Sequence, residues 1–117
     1  MIVAYVVNSD LNMGKGKVAA QVSHGAFGLM KSQPEKLQEN LGKAVVIRAD
    51  SETFESLIEE VWFEKLPHYV VEDAGRTQVS AGSRTVLAIG PASRKRIEPL
   101  IKGLKLLGRK GLNTVVV

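Results

Sequence analysis

Apolar residues recur along this chain in two patterns, unbroken runs and helical spacing. The runs at 2–7 (IVAYVV) and 43–49 (KAVVIRA) lack polar alternation, which is typical of strands buried on both faces. Four segments are predicted as strands: 2–7, 43–49, 68–72 and 84–90, the last ended by Pro91. Three helices are predicted from three- and four-residue spacing: 14–32, 51–66 and about 93–107.

This order predicts an α/β domain with three layers and a mixed sheet. The first three strands are joined through helices and should be parallel, with right-handed crossovers. The fourth strand follows the third through a loop without a helix, 73–83, and should run antiparallel. Residues 1–117 are long enough for one domain and too short for two.

The first helix shows two faces when about 100° of rotation is applied per residue. Its predicted buried stripe is Val18, Val22, Ala26, Leu29 and Met30, and its polar column is Lys17, Gln21, His24 and Gly28. The stripe predicted for the second helix is Phe54, Leu57, Ile58, Val61 and Trp62. Ligands bind at the carboxyl ends of parallel strands in such sheets, so 10–17 and 73–77 should meet at one edge.

Composition and charge narrow the function. The chain has no cysteine, which excludes disulfides, thiolate metal sites and a cysteine nucleophile. Its net charge of +4 is unevenly distributed, since 50–73 carries −7 and 74–117 carries +8. Folded to opposite sides, these segments would give an acidic and a basic pole, and the basic pole would attract a polyanion. No apolar run reaches the length of a signal peptide or a membrane span, which predicts a cytoplasmic protein.

Three blocks carry a resemblance to a known family: DLNMGKGKVAAQVSHGA (10–26), EDAGRTQ (72–78) and GSRTVLAIGP (82–91). In order and spacing they resemble the signature blocks of the type 2 peptidyl-tRNA hydrolases, and the resemblance extends to about Leu107. It implies a three-layer α/β/α domain whose four-stranded sheet has the order 2-1-4-3, with strand 4 antiparallel to the rest. Residues 108–117 go beyond the usual family ending, and their role is open.

The resemblance also implies an active site. The family's catalytic positions fall on Lys17, Gln21, Asp73, Thr77 and Thr85. Lys17 and Asp73 would form a charge pair that orients a water and stabilises charge on an ester carbonyl, and the two threonines would hold that water. His24 and Arg76 lie in the same blocks and would line the site, although a helix histidine is more often a packing or rim residue.

The expected substrate is peptidyl-tRNA, contacted at its 3′ end and acceptor stem and cleaved at the ester to recycle the tRNA. The two lysines near the start of the first helix are typical of a generic anion site, and Arg76, Arg84 and the lysines of the last helix should bind phosphates. The substrate-binding candidates are Lys15, His24, Arg76, Arg84, Arg94, Lys95 and Arg96. No metal-ligand spacing is present, so chemistry without metal or cofactor is predicted. The oligomeric state stays open, a homodimer included.

Two other functions compete with hydrolysis. The basic C-terminal third is also typical of a non-catalytic RNA-binding module. The apolar ending TVVV would suit an interaction adaptor built on the same fold. Ester loss from an N-blocked aminoacyl-tRNA separates both from the enzyme.

Overall fold

The structure is a computed structural model that describes residues 1–33, 35, 42–76 and 79–107. Thr77 and the tail 108–117 lie outside the described residues. The described part contains β1 (Ile2–Asn8), α1 (Lys15–Ser32), β2 (Lys43–Ala49), α2 (Ser51–Phe63), β3 (His68–Glu72), β4 (Arg84–Ala92), α3 (Arg94–Ile101) and β5 (Lys105–Leu106). Within these ranges no helix combines the length and apolar content that a bilayer crossing requires.

The strands form one mixed sheet in the order β3-β4-β1-β2-β5. β1 and β2 are parallel, and β4 is antiparallel to both of its neighbours, β1 and β3. The predicted α/β class with a mixed sheet is therefore confirmed. The first four strands have the predicted order 2-1-4-3. A fifth strand, β5, pairs with the free edge of β2, so the predicted number of four strands was wrong.

The fifth strand comes from a segment that was predicted to be helical. α3 ends at Ile101 instead of near Leu107, and the amide of Leu104 bonds the carbonyl of Ile101 at 3.0 Å in a tight turn. Gly103 has a φ of +87°, a value that favours glycine and reverses the chain. Lys105 and Leu106 then pair antiparallel with the end of β2.

The end of β4 also differs from the prediction. Pro91 does not stop the strand, which continues to Ala92 and pairs there with Ile2 after a shift in register. Proline is tolerated at such irregularities because no ladder hydrogen bond is required of its nitrogen.

Helices cover both faces of the sheet, which gives three layers. Alternate residues of β1 lie in different clusters: Ile2, Ala4 and Val6 pack with α2 and α3, and Val3 and Val7 lie on the side of α1. This is the period of two that a strand imposes.

Two of the predicted buried stripes are off by part of a turn. In α2, Phe54, Leu57 and Val61 are buried, whereas Trp62 is 73% exposed because it lies about 100° around the helix from Val61. In α1, the buried residues are Gln21, Gly25, Gly28 and Leu29, and Met30 is exposed. In the polar column of α1, Gln21 and Gly28 are therefore buried, Lys17 is partly buried and His24 is exposed.

Candidate active site

Buried polar side chains gather at one edge of the sheet. Among the described residues, those classed as buried and polar or charged are Asn8, Gln21, Asp73 and Thr85. Asn8 ends β1, Asp73 follows β3, Thr85 stands at the start of the antiparallel β4, and Gln21 lies in the second turn of α1. All four lie toward the carboxyl ends of the parallel strands, the edge at which ligands bind in this class of sheet.

The carboxylate of Asp73 is the centre of this cluster. Its Oδ1 forms an ion pair with Nζ of Lys17 and accepts a hydrogen bond from Nε2 of Gln21 at 2.8 Å. Its Oδ2 accepts from the backbone N–H of Gly75 at 2.6 Å. Lys17 and Gln21 are one turn apart on α1, so both reach the same carboxylate from one side.

The backbone around Asp73 is held as firmly as its side chain. Its amide bonds the carbonyl of Ser83, and its own carbonyl accepts from Gly82, both at 2.8 Å. Gly75 has a φ of +79°, which folds the chain back so that its amide reaches the carboxylate two residues earlier. The loop therefore begins as an Asx-type turn that fixes Asp73 in place.

The ion pair between Lys17 and Asp73 is mostly, but not completely, buried. The side chain of Asp73 is 2% exposed and that of Lys17 is 14% exposed, so Lys17 is the member of the pair that is more open to solvent. The hydrogen bond from Lys17 holds the pKa of Asp73 below its usual value against the opposing effect of burial, with help from the Gly75 amide, the Lys17 charge and Gln21. Asp73 is thus a carboxylate at neutral pH, with its oxygens already occupied by donors.

Thr85 lies at an irregularity of the β3–β4 ladder. Val71 pairs with Val86 and Glu72 with Arg84, so Thr85 is the extra residue of a bulge. Its side chain is fully buried, and Oγ1 donates to the Val71 carbonyl at 3.4 Å. Within the described part of the chain, its hydrogen bond therefore runs to β3 rather than to Lys17 or Asp73.

Three of the predicted binding residues surround this edge in exposed positions. Lys15 opens α1, His24 follows Gln21 by three residues on the same flank as Lys17, and Arg76 follows Gly75 in the loop. None of them contacts the Asp73 carboxylate among the described interactions. They lie at the rim of the site, where a ligand would meet them first.

The side chains of the remaining predicted binding residues do not contact the Asp73 cluster within the described part of the chain, although the backbone of Arg84 lies at the same edge. Arg84 pairs with Glu55 of α2 at 3.1 Å. Arg94, Lys95 and Arg96 belong to α3, which begins after the far end of β4; nine strand residues place that end roughly 25–30 Å from Asp73.

The expected separation of charge into two poles does not survive folding. α2 and α3 pack on the same face of the sheet, in one core cluster. Arg96 of the basic helix even donates to the Glu64 carbonyl beside the acidic helix, at 3.1 Å. The acidic and basic segments are therefore neighbours on one face of the sheet and do not fold to opposite sides.

Sequence reasoning did not single out Asn8, which ties this edge together. Its Oδ1 accepts from the Asp10 amide and the Ser51 hydroxyl, both at 3.2 Å, and its Nδ2 donates to the Arg84 carbonyl at 3.4 Å. Oδ2 of Asp10 accepts a further hydrogen bond from the Ser51 amide at 2.8 Å. The only signal in the sequence was a polar residue directly after a buried strand.

The described residues contain no group of three or more His, Cys, Asp or Glu side chains that could hold a metal ion. The site offers a buried carboxylate, a partly exposed lysine side chain and a carboxamide. Such a set can place a positive charge and hydrogen-bond donors beside a polarised carbonyl.

Comparison with known proteins adds to this geometry. The model of the family described as peptidyl-tRNA hydrolase PTH2 matches residues 1–107. This chain belongs to the PTH2 family. The family resemblance inferred from the three sequence blocks is thereby confirmed.

Curated relatives of this PTH2 chain come from animals and archaea. It is 44% identical over 109 residues to the Bos taurus protein named peptidyl-tRNA hydrolase 2, mitochondrial, which covers 86% of this chain and 61% of the bovine one. It is 40% identical over 108 residues to the peptidyl-tRNA hydrolase of Haloquadratum walsbyi, covering 88% and 96%. A Metallosphaera sedula protein of the same name is 37% identical over 117 residues, covering 92% and 100%.

The relatives differ in length. This PTH2 chain spans 61% of the bovine protein and 59% of a Drosophila melanogaster protein named probable peptidyl-tRNA hydrolase 2. It spans nearly all of the two archaeal proteins. The shared region includes the Lys17, Gln21 and Asp73 cluster, since the family match runs from residue 1 to residue 107.

Proposed function

We propose that this chain is a peptidyl-tRNA hydrolase that cleaves the ester between a peptide and the 3′ ribose of tRNA. The observation that carries the proposal is the Lys17–Asp73–Gln21 cluster at the ligand-binding edge of the sheet. Membership of the PTH2 family and relatives that carry this name support it. The competing functions, a non-catalytic RNA-binding module and an adaptor, are not favoured by these observations.

The proposed reaction is attack of a water oxygen on the ester carbonyl carbon. The C–O bond to the 3′ ribose breaks, the peptide leaves as a carboxylic acid, and the second proton of the tetrahedral intermediate passes to the 3′ oxygen. Lys17 is the group suited to the oxyanion, because its ammonium is charged and held in direction by Asp73, and its side chain is only partly buried.

Asp73 is proposed as a positioning residue rather than the base that activates water. Both of its oxygens already accept hydrogen bonds, and its lowered pKa makes it a weak proton acceptor. It holds the Lys17 ammonium in place, and Gln21 donates a hydrogen bond to the same oxygen, Oδ1. Thr77 and Thr85 are proposed, from the family resemblance, to hold the attacking water.

Lys15, His24 and Arg76 at the rim are proposed to contact the 3′ end and the acceptor stem of the RNA part of the substrate. RNA affinity rests largely on phosphate contacts, and these exposed groups border the cluster. Binding by Arg84, Arg94, Lys95 and Arg96 stays a prediction of the sequence, as do the homodimer and the cytoplasmic location.

The test is loss of the ester from N-acetyl-aminoacyl-tRNA incubated with the purified full chain. We expect wild type to release the amino acid and Lys17→Ala to be slower by about 10²-fold or more, the usual cost of losing an oxyanion donor. Lys31→Ala is the matched control, because Lys31 is an exposed lysine at the other end of α1 and should keep full activity.

The same assay is run after exhaustive chelation, and hydrolysis should persist. Binding of the tRNA without ester loss would replace the proposal with a binding module. Equal activity of Lys17→Ala and wild type would remove Lys17 from the reaction while leaving hydrolysis itself intact.

A further inference from the structure

Two positive side chains stand directly opposite each other at the end of the sheet. Arg48 of β2 and Lys105 of β5 are register partners in an antiparallel pair. Residues in this relation share a face, with Cβ atoms about 4.5–5.5 Å apart, and like charges there are destabilising. Both side chains are exposed. An arrangement that disfavours the free protein is a reason to look for an anion that would relieve it.

The pair lies on the face of the sheet that α1 covers. In the β1–β2 register Val7 pairs with Arg48 and Tyr5 with Val46, and Val7 and Val46 belong to the cluster under α1. Leu107, two residues after Lys105 and therefore on the same face, packs on that cluster. α1 itself packs mainly over β3, β4 and β1, which leaves Arg48 and Lys105 beside the helix.

Lys15 belongs to the same side of the molecule. Two residues of helix rotate a side chain by about 200°, so Lys15 and Lys17 point to flanks of α1 about 160° apart. Lys17 points toward Asp73, which follows the edge strand β3. Lys15 therefore lies on the flank toward β2 and β5, at the same carboxyl end of the strands as Arg48.

These three cations are not neutralised within the described part of the chain. The ion pairs there join Lys17 to Asp73, Arg84 to Glu55 and Arg94 to Glu98. Lys15, Arg48 and Lys105 form none with a described carboxylate, although all three are exposed. Two of the three cations in α3 do have partners, since Arg94 is paired and Arg96 bonds the Glu64 carbonyl, while Lys95 forms no ion pair with a described carboxylate.

We propose that Lys15, Arg48 and Lys105 form a basic track that binds the phosphates of the RNA strand whose 3′ end reaches Lys17. The inference rests on the proposed function, because the peptidyl-tRNA ester places an RNA strand at the cluster. A row of cations running from the sheet edge to the start of α1 matches the repeating charge of one strand, and the N-terminal dipole of α1 adds to its field. The track approaches the site from the β5 side on the face of the sheet that α1 covers, whereas α3 packs on the opposite face.

The experiment measures binding of deacylated tRNA across a series of salt concentrations, so that no ester chemistry is needed. The triple variant Lys15→Gln, Arg48→Gln, Lys105→Gln should bind more weakly. The slope of log affinity against log salt should fall by about 2–3, since each lost contact removes roughly 0.7–0.9. Circular dichroism and the denaturation midpoint establish that the variant is folded.

A matched variant removes the same charge elsewhere: Lys31→Gln, Lys43→Gln and Lys65→Gln, three exposed lysines away from this edge. It should keep the wild-type slope. If the slope fell equally in the two triple variants, the loss would be an effect of net charge alone, and the proposed track would be wrong. An unchanged slope in the track variant would overturn it as well, whether or not the chain proves to be a hydrolase.

A second readout separates binding from structure. Because Arg48 and Lys105 repel each other, the single variant Arg48→Gln should raise the denaturation midpoint of the free protein while weakening tRNA binding. A residue with only a structural role would lower both. Polyglutamate of similar length serves as a second probe, and its binding with the same loss in the track variant would overturn RNA as the occupant.

Discussion

The two faces of the sheet are built for different purposes. Between one face and the helices α2 and α3 lies a single cluster, which comprises fourteen buried apolar residues in the described part of the chain. The face under α1 carries two smaller clusters, and Gln21 and Asp73 are buried at their edge. Buried charge is costly unless it is paired and hydrogen-bonded, and here it occurs where a lysine, an amide and a backbone N–H converge. Stability and the candidate chemistry should therefore respond to different substitutions.

The largest effect is expected on the apolar face. Phe54 of α2 is completely buried in the large cluster, so Phe54→Ala should lower the free energy of unfolding by about 3–5 kcal/mol. Urea denaturation measures the loss. Turnover per folded molecule should stay near wild type; a marked fall in a still-folded variant would show that the two faces are coupled.

The next effect is expected on the opposite face and in activity. Asp73→Asn keeps the shape but removes the charge that fixes Lys17, and should slow ester hydrolysis by about 10²-fold. Glu72→Gln is the control, since Glu72 is the adjacent carboxylate and is exposed. If Asp73→Asn worked at nearly the normal rate, Asp73 would be a hydrogen-bonding residue whose charge is not used.

The topology of this face explains what the sequence could predict. The bounds of β2 and β3 were predicted as found, because both are short apolar runs between polar or turn residues. Lys17, Gln21 and Asp73 come together, as the edge rule for parallel strands requires. Local pattern and topology were sufficient for these features.

Other features depend on contacts between residues that are far apart in sequence, and these could not be predicted from local patterns. The bulge at Thr85 exists only in the register of β4 against β3, and the role of Asn8 depends on groups 43 and 76 residues away. β5 was read as helix because Leu104 continued the apolar spacing, whereas its pairing with β2 decides its state. The opposition of Arg48 and Lys105 arises from the same pairing.

A smaller loss of stability is expected where α1 touches the sheet most closely. A Cβ on Gly28 would lie 2.3 Å from the ring of Tyr69, so Gly28→Ala must displace that ring or the helix. We expect a cost of about 1–3 kcal/mol in unfolding free energy, the usual range for overpacking. Tyr69→Ala in the same chain should remove most of the added cost, and persistence of the cost would point to the helix backbone instead.

Lowering the pH should remove the contribution of the Asp73 carboxylate to the free energy of unfolding. Its pKa is lowered in the folded protein, so its stabilising effect is present above the unfolded value, near 3.9, and is lost as pH falls through the folded value. The difference in unfolding free energy between wild type and Asp73→Asn should be constant from about pH 5 to 8 and should shrink below about pH 4. A difference that changes between pH 6 and 8 would mean that another group titrates with the pair.

The smallest effect has the opposite sign and concerns the start of α1. Gly16 lies in the first turn, and a Cβ there would meet nothing within 4 Å. Alanine is the better helix former, so Gly16→Ala should raise the free energy of unfolding by up to about 0.5–1 kcal/mol. Thermal unfolding of Gly16→Ala and Gly28→Ala measures the expected gain and the expected loss of stability in the same helix. If Gly16→Ala also proved destabilising, the start of α1 would be held as tightly as its middle, and the contrast between an open, ligand-facing end and a packed interior of this helix would fail.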